Sequence, residues 1–132
     1  MSHIVQAKTS VKNPDLALLT QAVTLVAQQH SGGRIADYYL TFARSRRTDA
    51  QFAIFTSELE RGMGLKIKKT TGELTFIGDY WGHEELATQI QQQILQTYVS
   101  LATMQALAAM GYQATAIEGE QGQLVLTGVS YE

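Results

Sequence analysis

The sequence predicts an α+β fold: a mainly antiparallel sheet of six to seven strands with two helices packed on one face. Three observations support this prediction. Two stretches place apolar residues at helical spacing, several stretches alternate apolar and polar residues as β-hairpins do, and no regular βαβ series occurs. The predicted element order is β-α-β-β-β-β-α-β-β. A chain of 132 residues has the usual length of one domain, so we predict a single α+β domain over residues 1–132.

The first strand and the first helix are predicted near the N-terminus. Apolar and polar residues alternate over residues 3–11, as in a strand with one buried face. Asn13 is predicted to cap the following helix, with Pro14 in its first turn and Asp15 at the positive end of its dipole. Glycines 32–33 are predicted to end it, because glycine accepts the left-handed conformation that follows many helices. The predicted apolar stripe consists of Leu16, Leu19, Val23, Val26 and His30.

Four strands are predicted in the middle of the chain. Period-two alternation over residues 35–44 places Phe42 on the same face as the apolar residues before it. A polar turn follows, and an aromatic-rich strand is predicted over 51–57. The clearest local signal is a hairpin, in which strands 63–68 and 74–79 alternate on either side of a turn that contains a glycine.

A long helix is predicted over residues 83–110, with a final hairpin formed by 112–118 and 123–129. Acidic residues in the first turn of the helix favour its positive dipole end, and Gly111 is predicted to stop it. The apolar stripe that we expect to face the sheet consists of Leu86, Ile90, Ile94, Leu101, Met104 and Ala108.

Composition excludes several classes of mechanism. The chain has no cysteine, which removes disulfides, cysteine nucleophiles and thiolate metal sites. Its formal charge of −2 argues against a protein that binds nucleic acid by wholesale phosphate neutralisation. We find neither a signal peptide nor a stretch of about 20 apolar residues that could cross a membrane. A cytoplasmic or plastid-stromal location without membrane contact is therefore expected.

Two segments carry a family resemblance. The chain opens on Met-Ser-His, and the central hairpin runs into Asp79-Tyr80-Trp81-Gly82 before the long helix. In this order the segments resemble a small uncharacterised family of cyanobacteria and red-lineage plastids, described as a hypothetical chloroplast reading frame and a domain of unknown function. The resemblance implies a photosynthetic setting and an accessory role, such as assembly of a photosynthetic or carbon-fixation (carboxysome) complex. It implies no catalytic residues.

The densest polar cluster lies where the second helix begins. Asp79 and His83 are four residues apart, and Glu85 follows. An imidazole with carboxylates can bind a divalent metal ion or exchange protons. The same residue types also start helices, because Asp79 can cap and glutamates favour the dipole. A small metal- or ligand-binding enzyme centred on Asp79, His83 and Glu85 is thus the alternative hypothesis, and helix-start chemistry is the simpler interpretation.

Tyr80 and Trp81 form the second candidate group. Tryptophan and tyrosine are enriched at interface hot spots, so the pair could anchor a partner. The competing interpretation is that Trp81 packs where the strand turns into the helix.

The third group consists of Arg44, Arg46 and Arg47, close to Arg34. Arginine forks bind phosphate or carboxylate groups. The competing interpretation is a solvated loop.

The long helix has a neutral surface rich in glutamine, and Tyr98 lies within it. Interfaces are depleted of charge at their centres, so this surface could contact another protein or a second copy in a homodimer. Our preferred hypothesis is a non-catalytic protein-binding accessory or assembly factor that holds a partner segment in a groove or at a sheet edge. It assigns no catalytic residue, cofactor or metal ligand, and nucleic acid is not the expected partner. The residues predicted to bind the partner are Tyr80, Trp81, Tyr98, Arg44, Arg46 and Arg47.

Overall fold

The computed structural model describes residues 4–118 and 124–130, so the Met-Ser-His start and the turn predicted between the last two strands lie outside the described residues. The described part has two helices and nine strands, which confirms the α+β class and the predicted order. Two short strands, β3 and β4, are additional. The elements are β1 Val5–Lys12, α1 Leu16–Gln28, β2 Arg34–Ala36, β3 Tyr39–Leu40, β4 Arg46–Arg47, β5 Phe52–Phe55, β6 Met63–Ile67, β7 Glu73–Gly78, α2 Glu84–Ala109, β8 Tyr112–Glu118 and β9 Leu124–Ser130.

The strands are divided among three sheets. Five of them form an antiparallel sheet in the order β1-β7-β6-β5-β2, whereas β3 pairs with β4 and β8 pairs with β9. The strand predicted over residues 35–44 is therefore split. The chain bends at Asp37 after β2, and Tyr39–Leu40 then pairs with Arg46–Arg47 in a separate small hairpin.

Both helices pack on one face of the five-stranded sheet, as predicted. A single apolar cluster joins them to alternate residues of the central strands, including Ile54 in β5, Leu65 in β6 and Phe76 in β7. The helices contribute Leu19, Val23, Val26, Ala27, Ala87, Ile90 and Ile94 to this cluster. Removal of these side chains from water is the main favourable contribution to the fold.

The first helix is capped by a different residue from the one predicted. Asp15, and not Asn13, is the N-cap, and its carboxylate accepts hydrogen bonds from the Ala17 and Leu18 N–H groups at 3.0 and 3.2 Å. Asn13 has a φ of 48° and donates its N–H to the Gly72 carbonyl at 2.8 Å. The turn of the β6–β7 hairpin thus engages Asn13, which leaves capping to Asp15.

The second helix presents a stripe that differs from the predicted one. Ile90 and Ile94 are buried as expected, but their buried neighbours are Ala87, Thr97 and Ser100. Small side chains at these positions let α2 lie close to its neighbours, and the larger Leu101 and Met104 are only partly buried. Neither helix in the described part of the chain has the length and apolar character that a membrane crossing requires.

The opposite face of the sheet is covered by a layer formed by residues 37–50, which we call the hairpin layer. Tyr39 is completely buried in it and packs with Ala53, Phe55 and Ile77. Gly64 in β6 permits this packing. A Cβ atom at Gly64 would lie 2.9 Å from both the Tyr39 ring and the Ala50 methyl group.

The Tyr39 hydroxyl fastens the hairpin layer from within. It donates a 2.9 Å hydrogen bond to Asp49 Oδ1. Burial, the hydrogen bond and the carboxylate charge together raise the pKa of Tyr39 to about 12 from 10.0. Burial works in the opposite direction at Asp49, but the Tyr39 hydroxyl and the Arg47 guanidinium outweigh it and lower the pKa of that carboxyl.

We expect Tyr39 to make the fold sensitive to alkaline pH. Because its pKa is higher in the folded than in the unfolded state, its stabilising contribution is complete below pH 10 and is lost as pH rises through about 12. The loss amounts to roughly 2–3 kcal/mol. Urea unfolding of the wild type and of Tyr39→Phe at a series of pH values measures it. The gap between their unfolding free energies should narrow over this window, and a constant gap would contradict the assignment.

Candidate functional site

One pocket lies at an end of the sheet, between the loop before β6 and the connection from β7 to α2. Its volume is about 60 Å³. Residues 58–62 form one wall. Asp79, Tyr80, Trp81 and His83 form the other wall, so the pocket includes two residues of the enzyme hypothesis and two of the partner-binding hypothesis.

A largely buried ion pair lies in this pocket. Arg61 Nη1 is 3.3 Å from Asp79 Oδ1, and the Asp79 side chain is only 2% exposed. Asp79 Oδ1 accepts no hydrogen bond of good geometry, so the contact with Arg61 is one of charge rather than of aligned donor and acceptor. The same guanidinium lies 5.0 Å from the centre of the Phe42 ring. Arg61 therefore links the two segments that meet at the pocket.

Two exposed aromatic rings lie close to the Arg61–Asp79 pair. Phe42 is 66% exposed and contacts Arg61 from the hairpin layer, whereas Trp81 is 62% exposed and lines the pocket from the other wall. Of the two interpretations of Trp81, exposure favours the partner anchor. We call the surface formed by Phe42, Arg44, Arg61, Tyr80 and Trp81 the Phe42–Trp81 patch.

Tyr80 holds the base of the patch in place. It is partly buried against the helix-side core, and the Gln91 side-chain amide donates to its hydroxyl at 3.4 Å. Burial raises the pKa of Tyr80, although the Gln91 donor acts in the opposite direction. The backbone that carries Trp81 thus has a fixed residue before it, which restricts where the indole can lie.

The three predicted arginines have different surroundings. Arg44 lies 3.2 Å from Glu60 in an exposed pair at the patch, and Arg47 lies 3.2 Å from Asp49. Arg46 instead stacks over the Tyr38 ring at 4.1 Å. Only Arg44 therefore belongs to the Phe42–Trp81 patch, whereas the other two lie farther along the hairpin layer.

Tyr98 lies away from this patch, between the two helices. Its hydroxyl accepts the backbone N–H of Asp15 at 2.9 Å. The bond joins the N-cap of α1 to the middle of α2, so in this structure Tyr98 has a helix-packing contact.

The residues of the enzyme hypothesis have separate environments. Asp79 is paired with Arg61, while His83 and Glu85 are exposed and His83 is the N-cap of α2 without a side-chain cap bond. Glu84 accepts the Gly82 N–H at 3.1 Å, and its pKa is lowered by its own backbone N–H and by that of Gly82. Among the described residues, no three His, Asp or Glu side chains come together as a metal site. The glutamates in the first turn fit helix-start chemistry, but Asp79 does not cap the helix as predicted, because its carboxylate is buried against Arg61.

Phe42 and Arg61 were not identified from the sequence as residues of the candidate site. The uneven distribution of Lys and Arg along the chain was also missed. All ten Lys and Arg residues lie between Lys8 and Lys69, and neither α1 nor α2 contains one. A running sum of charge along the sequence reveals this segregation, which the overall charge of −2 conceals.

Comparison of the chain with protein-family models, with curated proteins and with solved structures found no match in any of the three.

Proposed function

We propose that this chain is a non-catalytic protein-binding module, an accessory or assembly factor that binds a segment of a partner protein at the Phe42–Trp81 patch. The observation that carries the proposal is the pair of exposed aromatic rings, Phe42 against the Arg61 guanidinium at 66% exposure and Trp81 in the pocket wall at 62%. Exposed apolar surface of this kind, rimmed by polar groups, marks interaction sites.

The residue types of the patch are those that dominate binding energy at interfaces. Tryptophan, tyrosine and arginine are enriched among hot spots, and they cluster around pockets from which water is excluded. Burial of Asp79 at the base and the Gln91 contact to Tyr80 hold the patch in one arrangement. A surface that is already ordered loses less conformational entropy on binding.

The Phe42–Trp81 patch is favoured over the sheet edge as the place of binding. The two edge strands of the five-stranded sheet are β1 and β2. The second spans only three residues, Arg34–Ala36, and the first exposes Lys8 and Lys12. Short edges and edge lysines are devices that oppose the addition of a further strand.

The biological setting proposed here rests on the family resemblance. It supports a role in a cyanobacterial cell or a plastid, in the cytoplasm or the stroma. The complex that the protein would help to assemble is a photosynthetic or carbon-fixation (carboxysome) complex.

Trp81→Ala and Phe42→Ala are each expected to weaken partner binding at least tenfold, because each removes an aromatic anchor of hot-spot type. Immobilised wild-type and variant proteins would be incubated with a cyanobacterial lysate, and the bound stoichiometric protein would be quantified by mass spectrometry. Val99→Ala is the matched control, since Val99 is 54% exposed on α2 and lies outside the patch. Retention of the partner by both aromatic variants would contradict the proposal, as would equal loss in the control.

A second copy of the chain is the other candidate partner. Gln92, Gln96 and Val99 are exposed on α2, and this helix carries no charged side chain after Glu85. Analytical ultracentrifugation of the wild type separates the two cases, because a homodimer through this surface would form without any lysate protein.

A further inference from the structure

The side of the molecule opposite the helices, formed by the hairpin layer and the strand residues around it, carries most of the positive charge. Side chains alternate between faces along a strand, so Lys66 lies opposite in direction to Leu65 and Ile67, which pack with the helices. Lys68 follows directly after β6 and donates its backbone N–H to the Glu73 carbonyl at 3.0 Å. Lys8 in β1 lies on the same face as Lys66. Four arginines of the hairpin layer and of β2 add to it. These are Arg34, Arg44, Arg46 and Arg47.

Much of this charge is not neutralised within the described part of the chain. Carboxylates lie within 4 Å of Arg44, Arg47, Arg61 and Lys66. The six other cationic side chains have no such carboxylate among the described residues. They are Lys8, Lys12, Arg34, Arg46, Lys68 and Lys69.

Two of these six are held in place by aromatic rings. Arg34 lies 4.1 Å from the centre of the Phe55 ring and Arg46 lies 4.1 Å from the centre of the Tyr38 ring. The two rings are themselves in contact, with centroids 5.3 Å apart. A guanidinium stacked on a ring keeps the N–H donors in its plane available, and these donors match the two oxygens of a carboxylate.

A third observation lies at the other side of the same face. Thr75 in β7 is directly opposite Lys8 in β1 and Lys66 in β6. Its hydroxyl is buried and has no hydrogen-bond partner. Thr75 is fully buried and Lys66 already contacts Asp49 at 3.6 Å, so Lys8 is the exposed group of the three that an external carboxylate can reach.

We propose that this basic face binds an acidic segment of the partner protein, with Arg34, Arg46, Lys8 and Lys68 as its principal contacts. The inference rests on the proposed binding function and names the chemistry of the partner. Four inter-strand spacings of roughly 4.8 Å separate β2 from β1, about 19 Å in all. A straight extended segment needs about six residues for that distance, and a segment that passes over the hairpin layer needs more.

A nucleic acid fits this face less well than an acidic peptide. Single-stranded nucleic acid binds by stacking bases on exposed aromatic rings. Here Tyr39 and Phe55 are buried, one face of Tyr38 is occupied by Arg46, and the exposed Phe42 lies against Arg61.

The test compares two charge changes of equal size. Arg34→Gln/Arg46→Gln lowers the net charge by two on the basic face, and Gln92→Glu/Gln96→Glu lowers it by two on exposed positions of α2. A fluorescein-labelled twelve-residue peptide of alternating Glu and Ser is titrated with each protein, and fluorescence anisotropy gives the dissociation constant. The same peptide with Gln for Glu and a twelve-nucleotide oligouridine are the comparison probes. Circular dichroism checks that each variant is folded.

We expect the acidic peptide to bind the wild type. Its dissociation constant should rise about fivefold or more in the arginine variant and less than twofold in the glutamine variant. Lys8→Gln/Lys68→Gln provides a second pair among the proposed contacts, and it should also weaken binding. Equal weakening by both kinds of variant would assign the effect to overall charge and overturn the proposal. Tighter binding of oligouridine than of the peptide would assign the face to nucleic acid, and no peptide binding would also overturn it.

The outcome is separable from that of the proposed function. The peptide has no aromatic or apolar side chain for the Phe42–Trp81 patch, so Trp81→Ala should leave its affinity unchanged. Loss of the lysate partner in Trp81→Ala together with an unaffected peptide titration in Arg34→Gln/Arg46→Gln would overturn the inference alone.

Discussion

Arg61→Met is expected to lower the free energy of unfolding by about 3–5 kcal/mol, because it leaves the carboxylate of Asp79 buried without its counter-charge. Asp79 is 2% exposed and Arg61 is 21% exposed, so solvent screens this pair only weakly. Methionine retains much of the apolar stem of arginine and removes the guanidinium, which makes both the ion pair with Asp79 and the contact with Phe42. The expected loss therefore comes from the charge, and urea unfolding measures it.

A second substitution distinguishes the charge from the packing. Asp79→Asn in the Arg61→Met background removes the isolated charge, so it should recover more than half of the lost stability. The control is Arg44→Met, which breaks the exposed pair with Glu60 and should cost less than about 1 kcal/mol. If Arg61→Met cost no more than Arg44→Met, the ion pair would not hold the pocket together as described.

Gly64→Val is expected to destabilise the protein by about 2–3 kcal/mol through overpacking. Its Cβ atom would lie 2.9 Å from the Tyr39 ring and the Ala50 methyl and 3.1 Å from Ile77 Cγ2, and valine adds two further methyl groups. Relief requires Tyr39 to leave its site, with loss of its bond to Asp49. Urea unfolding measures the stability, and near-ultraviolet circular dichroism reports the tyrosine environment.

Lys66→Val is the control for Gly64→Val, because it introduces the same side chain two residues along on the same face of β6. It should change stability by less than about 1 kcal/mol, since it removes only the partly exposed contact with Asp49 at 3.6 Å. An unfolding midpoint of Gly64→Val equal to that of the wild type would show that the hairpin layer does not need the glycine.

Local sequence patterns predicted correctly those elements whose apolar residues match the faces that are buried in the fold. The β6–β7 hairpin is confirmed because Leu65 and Phe76 alternate with polar or small residues and Gly72 adopts a φ of +73° in the turn. The second helix is confirmed within one residue at each end, whereas α1 ends at Gln28, with Gln29 as its C-cap, before the glycines 32–33 that were predicted to end it. In α1 the predicted N-cap was also wrong, because the carbonyl that engages Asn13 comes from Gly72, 59 positions farther along.

Alternation failed where the chain leaves the sheet. Phe42 was predicted on the face of Tyr38 and Leu40, yet it is 66% exposed. Period-two alternation indicates which residues share a face of a strand, but not the sheet against which that face packs. Here Tyr39 packs over β6 because Gly64 leaves space for its ring. The stripe of α2 was wrong for a related reason, since Thr97 and Ser100 are buried through close helix packing that hydrophobicity does not reveal.

The candidate site was only partly predictable. Trp81 and Arg44 were identified from residue type, and whether the indole packs or is exposed depends on the surrounding backbone. Arg61 gave no signal, because its partner Asp79 is 18 positions away and the pair exists only once β6 and β7 are in register. The grouping of positive charge was visible in the sequence, but its concentration on one face depends on the alternation of each strand.

The pairing of β1 with β7 has a consequence for synthesis of the chain. Val5 lies opposite Gly78, so the first strand has no neighbour in the sheet until 73 further residues have been made. At about 5–20 residues per second this interval lasts roughly 4–15 seconds on the ribosome. During that time the apolar side of β1, with Ala7 and Val11, has no core to join, because α2 supplies Ile90 and Ile94 later still. The nascent chain therefore exposes an unpaired β-strand before the domain can fold. This strand is a segment that a chaperone acting during synthesis could bind.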